Sequence, residues 1–176
     1  MWSCDKKDDS INNLTDSAEL KDNEASQTDL DGLIYLREEE KLAHDVYVKL
    51  FELWNVPVFN FISQSEQVHT TRVLALIDFF NLEDPASENP GEFNNADLQA
   101  LYDQLLTQGS ESLISGLTVG ATIEEVDIID LNEKIAVTTN PSITTVLNNL
   151  KLGSYAHLRA FVAQLELNGV IYVPNF

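Results

Sequence analysis

Cysteine is almost missing from this chain: Cys4 is the single one among 176 residues. That excludes an intrachain disulfide, a thiolate zinc site and an iron–sulfur cluster built by this chain alone. Basic residues are scarce as well, 10 Lys and Arg against 29 Asp and Glu. The formal net charge of -19 argues against nucleic acid or an anionic lipid surface as a partner. No run of about 18 apolar residues occurs, so nothing reads as membrane-spanning. A strand pair, a phosphate-cradling glycine loop and a repeat of fixed period are also missing. What is present is a globular share of apolar residues, 44%, in a length that suits one well-cored domain plus a tail. Excess carboxylate raises the local cation concentration, which suits a metal protein without demonstrating one.

Residues 1 to about 31 are rich in Asp, Asn, Ser and Lys and hold no sustained period, which reads as a disordered acidic leader. Within it Trp2-Ser3-Cys4-Asp5-Lys6-Lys7-Asp8-Asp9 resembles the start of a mature bacterial lipoprotein, a lipid-modified cysteine followed by a charged tether. The apolar signal segment that would precede such a cysteine is not among these residues. Two expectations stand side by side: an extracytoplasmic lipoprotein anchored through Cys4, or an ordinary cytoplasmic tail. The helical domain is expected over residues 32–176.

Helical spacing dominates that region. A helix capped by Asp29 or Asp31 is predicted from about Leu33 to Trp54, with Leu36, Glu40, Ala43, Tyr47, Leu50 and Trp54 in line. Asn55-Val56-Pro57 breaks it, and a second runs to Phe80 with the stripe Phe59, Ile62, Glu66, His69, Val73, Leu76 and Phe80. So short a break predicts antiparallel neighbours. A Pro-, Asn- and Glu-rich loop follows, then a short amphipathic helix from Ala96 to Gln108 ended by Gly109. Ser110 could cap a third long helix reaching Ala136, with Leu117, Ala121, Glu124, Ile128, Leu131 and Ile135 in line. Gly116 and Gly120, four apart, are expected to permit a close helix approach. The fourth runs from Ser142 to Leu167 with Leu150, Ser154, His157, Phe161 and Leu165 on one side, and Val170 to Pro174 should lie back on the bundle. The expected fold is all-α, a four-helix bundle with a long crossover carrying a short extra helix.

Each long helix carries an ionisable residue on its core stripe: Glu40, then Glu66 and His69, then Glu124 with Asp127, then His157. Counted from the two tight turns at about 1.5 Å per residue, all fall within one or two helical turns of a common height. Carboxylates gathered in an apolar core repel one another and are driven toward protonation unless a cation neutralises them. Oxygen donors with one or two imidazoles and no thiolate suit iron or manganese; zinc is compatible but does not need so many carboxylates. Two ions bridged by carboxylates would use them all.

These residues carry a resemblance to the ferritin-like superfamily of four-helix di-iron proteins. It is closest to the uncharacterised ferritin-like family known as domain of unknown function 2202, through Leu36-Arg37-Glu38-Glu39-Glu40-Lys41-Leu42-Ala43, Ser65-Glu66-Gln67-Val68-His69, Ile123-Glu124-Glu125-Val126-Asp127-Ile128 and His157-Leu158-Arg159-Ala160-Phe161. The resemblance implies Glu40, with Ala43 three residues on and Tyr47 seven on, as the first ligand, and Glu66 and His69 as the next pair. Rubrerythrin-like members place two carboxylates three apart on the third helix, which Glu124 and Asp127 resemble. The fourth helix of such proteins usually repeats Glu-x-x-His; here Ser154 stands at the Glu position and only His157 remains. That departure implies a metal position that is weaker, empty or open to water, with oxidant admitted beside Ser154.

Some assignments stay open at this level. Glu39 competes with Glu40, and Glu125 with Glu124, since a small helix rotation exchanges them. Asp127 can bind metal or orient a ligand. Tyr47 is expected in the core, with Tyr47 and Ser154 as neighbours of the ligands, His44 at the surface or behind Glu40, and Glu38, Glu39 and Lys41 otherwise on a solvated face. The resemblance implies reaction of iron with dioxygen or peroxide, as ferrous oxidation, peroxide reduction or oxidation of a small substrate. No rubredoxin-type cysteine pairs exist to carry electrons. No storage shell is implied, and a homo-oligomer is compatible. The rival reading is a metal-free helical binding module whose polar core residues form a hydrogen-bonded network that fixes helix register.

Overall fold

The computed structural model describes residues 24–175. The expectations for Cys4 and for residues 1–23 lie outside the described residues. Five helices account for the fold and no strand occurs among the described residues: α1 (Gln27–Trp54), α2 (Pro57–Phe79), α3 (Ala96–Gly109), α4 (Leu113–Val137) and α5 (Pro141–Leu167). The chain is therefore all-α. No helix among the described residues is long and apolar enough to cross a membrane.

Local chemistry sets each boundary. α1 starts at Gln27, ahead of the predicted Leu33, because Ser26 rather than Asp29 or Asp31 is the cap. Ser26 Oγ accepts from the Asp29 amide at 3.1 Å while Asp29 Oδ2 accepts from the Ser26 amide at 3.0 Å, a reciprocal capping box. Asn55 ends α1 in the left-handed region at φ 52°, and Pro57 opens α2 with the fixed φ a first turn needs. Ser112, not Ser110, caps α4, its hydroxyl accepting from the Ser115 amide at 3.0 Å. Ser110 instead closes α3 by donating to the Leu106 carbonyl. Asn140 caps α5 at the Ile143 amide, again just ahead of a proline.

α1 packs along α2 and α4 along α5, with α2 also touching α5 and α3 lying against α1 and α4. The apolar interior falls into two clusters. One contains Val46, Tyr47, Leu50, Phe59, Ile62, Leu117 and Phe161; the other Leu36, Val73, Ile77, Leu131, Leu147 and Leu150. Each fully buried side chain of this size contributes about 1.5–3 kcal/mol. Between the clusters, the helices that supply both carry Glu40, Glu66, His69, Glu124 and His157, all buried. The sequence stripes thus become two apolar layers with a polar layer between them.

Two glycines shape this packing where a side chain has no room. A Cβ on Gly120 would stand 2.5 Å from the Phe161 ring, and one on Gly116 would meet Trp54 Nε1 at 3.0 Å and the Gly109 carbonyl at 3.2 Å. The expected close helix approach occurs at Gly116 against Gly109; Gly120 makes room for an aromatic ring instead.

The expectation of a solvated face at Glu38, Glu39 and Lys41 is corrected: Glu39 is half-buried with its Oε2 shielded from solvent, and Glu38 and Lys41 go further. Both are buried, because the loop between α2 and α3 folds over them. Glu38 accepts from the Asn94 and Asn95 amides at 2.6 and 3.0 Å, and Lys41 donates to Asp45 and to the Asn89 and Glu92 carbonyls. Arg37 reaches Asp84 at 2.9 Å. A loop rich in backbone polar groups needs such partners once it is laid on a protein surface. At the other end of the chain, Tyr172 and Asn175 return to Glu125 on α4, as expected of a tail lying back on the helices.

Candidate metal centre

The polar layer forms from residues that helical spacing aims at one point. Glu66 and His69, three apart on α2, share a face, and His69 Nδ1 lies 2.8 Å from Glu66 Oε2. From α1, Glu40 Oε2 approaches the same nitrogen at 3.3 Å. From α5, His157 Nδ1 lies 2.7 Å from Glu66 Oε1, and from α4, Glu124 Oε2 lies 3.3 Å from that nitrogen. Two triads result, Glu40–Glu66–His69 and Glu66–Glu124–His157, each offering ligand atoms within 4.8 Å of one another. Glu66 belongs to both, one carboxylate oxygen turned to each histidine.

The neighbours fix these groups in place. Tyr47 donates to Glu124 Oε1 at 2.6 Å and to the Gly120 carbonyl at 3.3 Å. His157 Nε2 sits 2.8 Å from Ser65 Oγ. Ser65 thereby holds the Nε2 edge of the ring, and Nδ1 is the nitrogen turned to Glu66 and Glu124. His69 turns its Nε2 edge onto Gly153 of α5, where a Cβ would stand only 2.5 Å from that nitrogen. Its Nδ1 is thereby directed at the carboxylates. The rings of His69 and His157 lie 5.4 Å apart, centroid to centroid.

Asp127 stands beside the triads and in neither. Its Oδ2 accepts from Ser154 Oγ at 2.5 Å, and Ser154 is completely buried. The expected opening beside Ser154 is therefore absent: the hydroxyl is engaged by Asp127 and by the Leu150 carbonyl. Of the open pairs, Glu40 and Glu124 point into the layer. Glu125 binds the C-terminal tail, and Glu39 turns toward Asp127 and Asp130. His44 pairs with Asp45 at 2.8 Å, away from the layer.

The electrostatics are those of a crowded buried layer. Burial would lower His69, but the Glu40 and Glu66 carboxylates beside it raise it to about 11; His157 is likewise raised to about 10 against its burial by Glu124 and Glu66. Glu66 is pulled down to about 2 by both imidazoles in spite of burial. Burial and the Glu66 charge push Glu40 up to about 8 and Glu124 to about 7. Burial, with Glu40 and Glu124 nearby, holds Asp127 well above the ordinary carboxylate range.

The donor set fits a cation. Glu40 Oε1, Glu66 Oε1, Asp127 Oδ1 and His157 Nδ1 are shielded from solvent and make no hydrogen bond. The 2.7 Å approach of His157 Nδ1 to Glu66 Oε1 is short, yet neither atom finds hydrogen-bond geometry in it. Buried polar atoms left so cost about 1–3 kcal/mol each. A cation held between them offsets that cost. Ser65 and Gly153 are the partners that sequence reasoning missed: Ser65 adjoins Glu66 and Gly153 adjoins Ser154, but their contacts are with other helices.

Fold and site together define an all-helical protein with a buried carboxylate–imidazole layer whose residues could hold metal ions. The chain belongs to the family described as Uncharacterized protein domain (DUF2202), which matches residues 29–176. It is 42% identical over 152 residues to the uncharacterized protein MJ0754 of Methanocaldococcus jannaschii, covering 86% of this chain and 82% of that protein. The crystal structure of hypothetical protein MJ0754 from Methanococcus jannaschii DSM 2661 superposes with a TM-score of 0.85, covering 87% of this chain and 88% of that one.

Proposed function

We propose that this chain is a ferritin-like four-helix protein in which α1, α2, α4 and α5 form the bundle, α3 rides on the crossover, and the polar layer holds two metal ions, iron being the best match. The observation that carries this reading is the sharing of Glu66 by two triads. One ion would be held by Glu40, Glu66 and His69, the other by Glu66, Glu124 and His157, with Asp127 as a neighbouring carboxylate. Oxygen and imidazole donors without thiolate favour iron or manganese over zinc. Glu40, Glu66, Glu124 and Asp127, once ionised, carry four negative charges, which two divalent cations offset.

Bound iron would supply reactivity toward dioxygen or peroxide, as ferrous oxidation, peroxide reduction or oxidation of a small substrate. The chain's own residues position and shield. Tyr47 holds the Glu124 carboxylate, Ser65 orients His157, Gly153 sets the His69 ring, and Ser154 holds Asp127. The apolar clusters close the layer above and below.

Elemental analysis of protein purified without chelator and reloaded with ferrous iron under nitrogen tests the reading. About two ions per chain are expected, lost in Glu66→Ala because both triads depend on that residue. Full occupancy in Glu66→Ala, or no uptake of iron, manganese or zinc by the parent, refutes it. In the latter case the metal-free network of two imidazolium groups among carboxylates is the better description.

A further inference from the structure

The polar layer has an approach on the side away from its histidines. A cavity of about 80 Å³ opens between α1, α3 and α4 and reaches Glu40, Glu66, Glu124 and Asp127. Neither histidine lines it, and Ser154 does not. Its walls are mainly apolar, Leu42, Ala43, Leu101, Leu105, Ile123 and Val126, with Thr122 and Glu39 as the further polar side chains on them. Leu101 and Val126, 38% and 48% exposed, stand at the mouth, whereas Ala43 and Leu105 are buried within.

We propose that this cavity is a binding site for a small neutral, apolar molecule, delivered by it to the oxygen face of the carboxylate layer. The molecule's role as substrate or co-substrate rests on the metal reading above; its binding does not. Three observations select the chemistry. No basic side chain lines the cavity, and its floor is carboxylate, so an anion meets repulsion with nothing to pair with. A hydrated cation finds ligands only at the carboxylate floor and none on the apolar walls before it, whereas a neutral apolar molecule gains contact along those walls. The volume is roughly half that of the ~150 Å³ apolar cavity known to take up benzene or xenon, which limits the occupant to a few heavy atoms.

The position of α3 adds a means of selection. Leu101 and Leu105, one helical turn apart on this short helix, form the wall facing α4. The N-terminal end of α3 is tied to α1 through the Asn94 and Asn95 amides on Glu38. The width of the mouth is thus set by a helix that the crossover loop holds at one end. Any larger occupant has to displace it.

Methyl NMR of the full chain, metal-free and zinc-loaded, titrated with xenon and with cyclopropane, tests this. Shifts confined to Leu42, Leu101, Leu105, Ile123 and Val126 are expected in both forms. Ala43→Leu, which fills the cavity from inside, and Val126→Phe, which narrows the exposed mouth, should each weaken binding about tenfold or more. Metal content should stay at the parent level in Val126→Phe, and circular dichroism identifies a variant that has not folded. Absence of shifts in a folded parent at saturating probe overturns the proposal, as do shifts scattered over the surface and unchanged in both variants. Broadening of these same methyls by manganese beyond the bound amount, without any xenon response, overturns it in favour of a cation route. Xenon binding in a chain that takes up no metal supports the cavity and refutes the metal reading; metal uptake without xenon or cyclopropane binding does the reverse.

Discussion

Gly153 shows how much one missing methyl group can decide. In a helix interior Gly→Ala ordinarily gains about 1 kcal/mol of helix propensity. Here the new Cβ would stand 2.5 Å from His69 Nε2 and 2.7 Å from Cε1, while the other edge of the ring already faces Glu40 and Glu66. The ring has to move, and the propensity gain offsets part of the strain. Gly153→Ala is therefore expected to change the melting temperature little but to weaken metal binding about 10–100-fold, read by manganese titration against a chelator. Unchanged affinity would show that the ring's placement on α5 is incidental. Tyr47→Phe makes the complementary test. It keeps the ring that packs 5.2 Å from Phe161 and removes only the hydroxyl, which donates to Glu124 and, at longer range, to the Gly120 carbonyl. The buried Oε1 then lacks its partner, and urea unfolding of the metal-free variant should show a loss of about 1–3 kcal/mol. At this scale the sequence was legible where a single helix carries the information. Glu66 and His69 are a spacing, and Glu40, Glu124 and His157 are polar interruptions of apolar stripes. Gly153 and Ser65 act only across an interface, which no periodicity reports.

At the scale of elements, α1 has two polar faces with opposite roles. One carries Glu40 into the layer. The other carries Arg37, Glu38, Lys41 and Asp45, which fasten the loop between α2 and α3. Lys41 Nζ donates to Asp45 Oδ2 at 2.6 Å, to the Asn89 carbonyl at 3.0 Å and to that of Glu92 at 3.3 Å, with both side chains of the pair nearly buried. Removing one partner of a buried pair costs about 3–5 kcal/mol. The His44 ring and the Gly91 amide still serve Asp45, which places Lys41→Met at about 3 kcal/mol in urea unfolding, the low end of that range. Amide exchange at Gly91 and Asn94 should accelerate with it. An exchange rate at Gly91 equal to the parent's would mean that the loop is held by something else. The long helices were readable from spacing because each buries a continuous stripe. The face of α1 that meets the loop was misread as solvated, because polar residues at helical spacing usually face water, and their partners lie 46 to 57 residues further on. The start of α1 was missed for a simpler reason: Ser26 precedes two acidic residues that are each capable caps.

For the whole molecule, the polar layer couples stability to pH, and the direction depends on whether metal is bound. Consider the metal-free protein. His69 and His157 rise from 6.5 to about 11 and about 10, so the stability they contribute is complete below 6.5 and is lost as pH climbs through those values. Glu40 and Glu124 rise from 4.5 to about 8 and about 7, so they leave stability untouched below 4.5 and lower it progressively from there until the raised values are reached. Within the layer Glu66 alone runs the other way: depressed from 4.5 to about 2, its contribution is present above 4.5 and lost on acidification toward 2; outside it Asp29, Asp45 and Glu125, lowered by hydrogen bonds in spite of burial, act in the same direction. The metal-free melting temperature should therefore peak at about pH 5 and fall steadily toward about pH 10. A formal net charge of -19 adds self-repulsion in the same direction. Metal ions bind the deprotonated carboxylates and imidazoles, so they gain from the same loss of protons that weakens the metal-free fold. Thermal melts of the manganese-loaded protein, run with and without chelator, should nearly coincide at about pH 5 and separate progressively above about pH 7. Glu66→Ala should collapse the two curves onto one at every pH. Curves that stay parallel across the range would mean that the protons and the metal do not share a site, and the layer would then be a hydrogen-bonded network with metal bound elsewhere.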